Sequence, residues 1–215
     1  MGYDWPRNWQ EVPALSHVTG RTAHFIDRTS KEVDAIILRT GNKQYFPFLP
    51  DTLRLKTPNV LASDDLYKGV VWNENPNLFY LGMQDQWYTF NIFDAQAWYV
   101  RDIIMERISV PDFAARQTDV AHRQAYEAAL ADDYACIAYQ GAYMQELIDE
   151  TDYPSFDVEA ANKAFYEWKK YKKLGIMEFR NHGHVSPMTG TKAPAHHTAW
   201  VDALDDSLES YLQSR

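Results

Sequence analysis

"FYLGMQDQWYTFNIFDAQAWYVRDIIMERI", residues 79 to 108, holds the change of period on which the fold turns. An apolar run from Phe79 to Leu81 stops at Gly82, and a helical pattern begins near Asn91. Ala97, Val100, Ile104 and Ile108 then fall on one helical stripe, which Pro111 ends. Between the two patterns, Gln84, Asp85, Gln86, Trp87 and Thr89 crowd the turn. A helix N-terminus presents unpaired N–H groups and partial positive charge, so a turn of this kind suits an anion or an electron-rich carbonyl. Gln84 and Gln86 can each donate and accept hydrogen bonds, and Trp87, Tyr88 and Phe90 can wall a flat ring. The same side chains also serve as an N-cap, core aromatics and a surface carboxylate, and the strand-turn-helix alone leaves both readings open.

Upstream, the first fifty residues read as strands. "RTAHFID" (21–27) and "EVDAIILRTG" (32–41) flank the turn-like "RTSK" and predict a hairpin. "DAIIL" is continuously apolar, as in a strand covered on both faces. "YFPFLPDTLRLKTPN" (45–59), with three prolines, reads as loop or crossover, and "NLFYLG" (77–82) as a short buried strand. Downstream, helices are expected at about 113–131, 133–149 and 157–173. "ALDDSLESYL" makes a last helix with acidic residues in its first turn, and "RNHGHVSPMTGTKAPAHHTAW" is a long loop before it.

At 215 residues the chain can bury a core as one large domain or two small ones. A formal charge of −9 argues against a nucleic-acid partner, which needs a basic surface, and "KKYKK" (169–173) reads as the wet face of a helix. The single cysteine, Cys136, forms no internal disulfide; it reads as a small core residue in a reducing compartment. No stretch is long and apolar enough for a bilayer, and "MGYDWPRNW" has no signal-peptide core, so a cytoplasmic location is expected. His182, His184, His196 and His197 crowd sixteen residues, but their spacing matches no common metal site, and no metal is expected.

"YKGVVWNENPNLFYLGMQDQWYTFNIFDAQAWYVRDII", with "TDYPSFD", "NKAFYEWKKYKK", "MTGTKAPAHHTAW" and "DALDDSLESYL", resembles the C-terminal half of bacterial flavin-containing monooxygenases, the trimethylamine monooxygenases most closely. The likeness runs from about residue 5 to the end. "DAIILRTG" is similar to the family's strand leading back from the NADP domain to the FAD domain, although Arg39 and Asn42 depart from the pattern there. The resemblance implies an α/β fold, α+β in this stretch: part of a Rossmann-like FAD/NAD(P)-binding two-domain architecture, β-rich first and helical after. It implies that residues 1–47 close an NADP-binding domain and residues 48–215 form the C-terminal portion of an FAD-binding domain with a helical extension.

Function follows from the same resemblance. Reduced FAD, supplied with electrons by NADPH, captures O2 as a C4a-hydroperoxide and oxygenates a small amine or sulfide, with the protein supplying position and exclusion of water. Gln84, Gln86 and Thr89 fall where the family contacts the flavin; Asp85 and Trp87 fall beside the nicotinamide and substrate, the catalytic position; Arg180 resembles an arginine reaching the NADP phosphate. The nine glycines nowhere give G-x-G-x-x-G, so both dinucleotides need the family's N-terminal half; that half, or a homo-oligomer through the exposed half-domain, is the expected protein partner. A non-catalytic interaction module is the alternative.

Overall fold

Three short antiparallel strands open the chain: β1 (Leu15–Thr19), β2 (Thr22–Phe25) and β3 (Ser30–Glu32), in the order β1-β2-β3. The computed structural model describes residues 3–39, 41, 45–56, 60–181, 183–187 and 189–192. The expected hairpin is β2–β3, with Thr22 opposite Glu32 and His24 opposite Ser30. β1 was not foreseen; Gly20, at φ +59, makes the tight turn joining it to β2. "DAIIL" forms no strand, contrary to expectation: Ile37 is 86% exposed and Leu38 73%. A buried strand needs neighbours on both edges, and among the described residues no strand runs beside this one.

A second hairpin pairs β4 (Leu66–Tyr67) with β5 (Val71–Trp72) across a turn in which Lys68 and Gly69 both have positive φ, +48 and +67. The predicted strand at 77–82 is reduced to one bridge, Phe79 to Val71, with Tyr80 N–H donating to the Val70 carbonyl at 2.8 Å. Gly82 (φ +70) then bends the chain, and Leu81 is exposed rather than buried.

Four helices follow: α1 (Phe90–Ile104), α2 (Phe113–Ala128), α3 (Asp133–Glu150) and α4 (Val158–Leu174). The last three match the predicted spans within a few residues because each has a legible start. Asp112, Asp132 and Asp157 are N-caps whose carboxylates accept from Ala115, Ala135 and Ala160 N–H at 2.8–2.9 Å. The core joins α1, α3, α4 and the β4–β5 hairpin around Val70, Val71, Ile92, Tyr99, Met144 and Leu147.

The α1 stripe differs from the one expected. Its buried face is Ile92, Ala95, Gln96, Tyr99 and Asp102, while Ala97 and Ile104 are exposed. The helix also stops well before Pro111: Glu106 takes φ +56, and Arg107 and Ile108 N–H return to the Asp102 carbonyl. "KKYKK" is not uniformly wet either, since Lys169 and Lys172 lay their ammonium groups over the Trp87 and Trp168 rings. Cys136 is only part-buried. The expected last helix, 203–212, and His182, His196 and His197 of the histidine loop lie outside the described residues. Among the described residues no helix is long and apolar enough to cross a membrane.

Candidate functional site

The 82–89 segment crosses between the β4–β5 hairpin and α1, and its side chains go to three different places. Gln84 turns inward. Its Oε1 accepts from Gln96 Nε2 at 2.5 Å, and its amide lies over Gly69, where a Cβ would collide with it. Asp85 turns outward and is exposed; its Oδ1 accepts from Gln86 N–H at 3.0 Å, so one carboxylate oxygen stiffens its own loop. Gln86 and Trp87 turn sideways toward α4. There they meet Ala164, Phe165, Trp168 and His184 around a groove of about 410 Å³.

This groove is aromatic. Trp87 meets Phe165 edge-on at 6.2 Å and Trp168 at 5.9 Å between ring centroids. Outside it, Lys169 sits 5.3 Å over Trp87 and is ion-paired with Asp133, and Lys172 sits 5.2 Å over Trp168. Burial first, and then the neighbouring Lys172, push the Lys169 ammonium below the ordinary lysine range. His184 Nδ1 lies 3.6 Å from the Glu167 carboxylate. Gln86 Oε1 is buried with no hydrogen-bond partner among the described residues.

A second groove, about 440 Å³, runs along the start of α1 between Phe90, Asn91, Phe93, Asp94, Ala97 and Tyr153. Thr89 is the N-cap residue, but its side chain makes no capping bond and the first turn holds no acidic residue. Its backbone is strained, at φ 36 and ψ −99, an unusual conformation for a β-branched residue. The positive end of α1 therefore has no side-chain cap from Thr89.

Arg180 is exposed on the turn after α4, its guanidinium 4.9 Å over the Phe179 ring, and Phe179 in turn packs on Trp168 at 5.1 Å. Gln86 and Trp87 thus share one groove, Thr89 adjoins the other, Gln84 lies behind both, and Arg180 stands on the α4 side. Of the four clustered histidines only His184 lies within the described residues, among which no group of three potential metal ligands occurs. Phe165, Trp168, Gln96 and Gln140 were missed. Phe165 and Trp168 follow Ala161 at i+4 and i+7 on α4, a helical spacing that places them on one face. The two glutamines carry no sequence signal at all.

No family model matches the chain. Curated relatives do. The chain is 65% identical, over its whole length, to a trimethylamine monooxygenase of Roseovarius sp. (strain 217), and 60% identical to that of Roseovarius nubinhibens. In each case it covers 48% of the relative. The crystal structure of Tmm from Pelagibacter sp. strain HTCC7211 superposes on 97% of the chain with a TM-score of 0.86 at 44% identity, again using 48% of that protein. The chain is similar to one half of these trimethylamine monooxygenases. Its fold is the mixed α+β arrangement of that half, with small antiparallel sheets followed by four helices among the described residues, and it spans about half the length of the relatives it matches.

Proposed function

We propose that this chain furnishes the substrate-side wall of an FAD- and NADPH-dependent monooxygenase that N- or S-oxygenates small soft nucleophiles, trimethylamine-like amines and sulfides. In this reading residues 1–47 close an NADP-binding domain, and residues 48–215 complete an FAD-binding one. The observation that carries it is the aromatic groove between Trp87 and α4. Its Trp and Phe faces suit N-methyl or S-methyl groups, and a tryptophan face attracts a methylated cation. Outside the groove Lys169 is offset by Asp133, and the Glu167 carboxylate stands 3.6 Å from His184, so carboxylates flank the walls, while a neutral amine keeps the lone pair that oxygenation uses.

The residues present fit the ring end of a flavin. Among the described residues Gln86 Oε1 is an acceptor without a donor, as an N–H on a flat heteroaromatic rim would supply, and the uncapped start of α1 favours electron-rich carbonyl oxygen. They do not fit the dinucleotide tails, for which no glycine-rich loop exists in the chain. When bound, FAD would supply the reduced ring that activates O2. Trp87 walls the substrate and excludes water, Asp85, turned outward two residues before it, supplies an exposed carboxylate, and Gln86 and Thr89 face the ring. Gln84 acts from behind, with its oxygen already committed to Gln96. Arg180 offers an exposed guanidinium to the NADP phosphate.

The exposed Ile36, Ile37 and Leu38 favour a second reading, a non-catalytic module that associates through apolar surface. One experiment separates the two. The chain is purified alone and with the N-terminal half of the Roseovarius sp. relative supplied as a second polypeptide. The enzymatic reading expects a colourless chain alone, and a yellow pair that oxidises NADPH when trimethylamine is added. Trp87→Ala is expected to raise KM on the order of tenfold, and Asp85→Ala to lower kcat. A pair that binds FAD but turns over undiminished in both variants refutes these roles. Association without FAD binding supports the module instead.

A further inference from the structure

The 82–88 segment has little backbone support of its own. Among the described residues, Asp85 N–H to the Val60 carbonyl at 3.0 Å ties it to another loop. Tyr88 at its end is buried, with its hydroxyl bonded to Asn162 Oδ1 at 2.7 Å, and the backbone groups of 82–87 are held by two glutamine side chains that the core would not be expected to hold: Gln96 of α1, 0% exposed, and Gln140 of α3, 3% exposed.

Gln140 grips the loop twice. Its Oε1 accepts from Trp87 N–H at 2.6 Å, and its Nε2 donates to the Asp85 carbonyl at 2.5 Å. Gln96 accepts from Gly82 N–H at 2.8 Å and donates to Gln84 Oε1 at 2.5 Å and to Tyr143 OH at 2.9 Å. Tyr143 in turn donates to the Lys68 carbonyl at 2.8 Å. The polarity of every link is forced. A backbone N–H can only donate and a carbonyl can only accept, so neither glutamine can be flipped without setting like groups against each other. Glu127 of α2 extends the arrangement, accepting from Leu61 and Ala62 N–H at 2.9 Å beside the Val60 anchor.

We propose that Gln96 and Gln140 are positioning residues of the site, a two-point clamp that fixes the loop so that Gln86 and Trp87 face the groove. The proposal rests on the reading of residues 84–89 as the wall beside flavin and substrate. The clamp is worth burying two amides because every polar group in it is satisfied; a half-satisfied version would be worse than an apolar core. It also leaves Gln86 Oε1 as the one buried side-chain oxygen of the segment without a partner among the described residues.

The test measures the loop and the chemistry separately. Amide hydrogen exchange is followed in the chain with Gln140→Met, Gln140→Glu and Gln96→Met. In the pair with the N-terminal half, KM for trimethylamine, kcat, and NADPH consumed per amine oxygenated are measured. Gln140→Met is expected to speed exchange at Trp87 by roughly tenfold or more while α4 is unchanged. It is also expected to raise KM more than it lowers kcat, and to waste NADPH. Gln140→Glu keeps an acceptor for Trp87 N–H but sets an oxygen against the Asp85 carbonyl; Trp87 protection should survive, and the kinetic loss should be partial. Unchanged exchange over 82–88, or a uniform rise that includes α4, overturns the clamp. A loosened loop with unchanged KM and coupling overturns the positioning role and, with it, the placement of the loop at the site. A wild-type pair that turns nothing over refutes the enzymatic reading while the exchange data still judge the clamp.

Discussion

Thr89 sits at φ 36 and ψ −99, exposed, with no side-chain bond to the helix it begins. A threonine in that position contributes little to stability: its backbone strain costs about 1–3 kcal/mol, and the usual return of an N-cap hydroxyl is missing. Thr89→Gly should therefore stabilise the fold by about 0.5–1 kcal/mol, read as a higher urea midpoint at unchanged slope. If the hydroxyl meets a flavin, the same variant should weaken FAD retention in the assembled pair. A variant that destabilises the fold would mean that the threonine supports the turn in a way its geometry does not reveal. The opposite holds at Gly69, where φ +67 and the overlying Gln84 amide both require glycine.

Elements differ in how well they could be read in advance, and the helices show why. α2, α3 and α4 were legible because an aspartate cap precedes each and a ladder of ordinary helix formers follows. Asp157→Ala removes the bond to Ala160 N–H and should cost about 1 kcal/mol, with helix α4 fraying first and Trp168 fluorescence reporting it. α1 was placed correctly but turned the wrong way. Its buried face contains Gln96 and Asp102, which any hydrophobic count assigns to water. Both are buried because partners satisfy them: Gln96 through the clamp, and Asp102 through Arg101 at 2.9 Å and Arg107 at 3.1 Å. The candidate site divides in the same way. Residues 84–89 stood out for composition. Phe165 and Trp168 reach them only through the packing of α4, and the two clamping glutamines are indistinguishable in sequence from surface ones.

On the scale of the whole molecule, the strand that the sequence pattern predicts at "DAIIL" lies exposed, in a chain spanning about half the length of its relatives. Its hydrophobic pattern calls for flanking strands that the described residues do not provide. Beside the apolar core, a partly buried charge cluster ties α2 and α3 to the β4–β5 turn. Lys68, in the β4–β5 turn, bridges Glu146 at 2.9 Å and also Glu150, while Arg123 of α2 holds Glu146 at 2.8 Å and Asp119 at 2.8 Å. Burial alone would raise the Glu146 carboxyl, but Arg123 and Lys68 outweigh it and hold it below the ordinary 4.5. Burial alone would likewise lower Lys68, and Glu150 and Glu146 hold it above 10.5. The signs then give the pH window. A depressed carboxyl stabilises fully above its unfolded value and loses that contribution as pH falls through its folded value. A raised ammonium stabilises fully below its unfolded value and loses it as pH climbs through its folded one. The cluster should therefore contribute evenly from about pH 5 to pH 10 and fail on the acid side as Glu146 takes up a proton. Glu146→Gln should lower neutral stability by about 2 kcal/mol, less than a fully buried pair because the carboxylate is 30% exposed. The same variant should flatten the acid limb of the urea midpoint between about pH 5 and pH 3, since the proton-linked loss has already been taken. An acid limb as steep in the variant as in the wild type would move the linkage to other carboxylates, with Asp102 between its two arginines the first to examine.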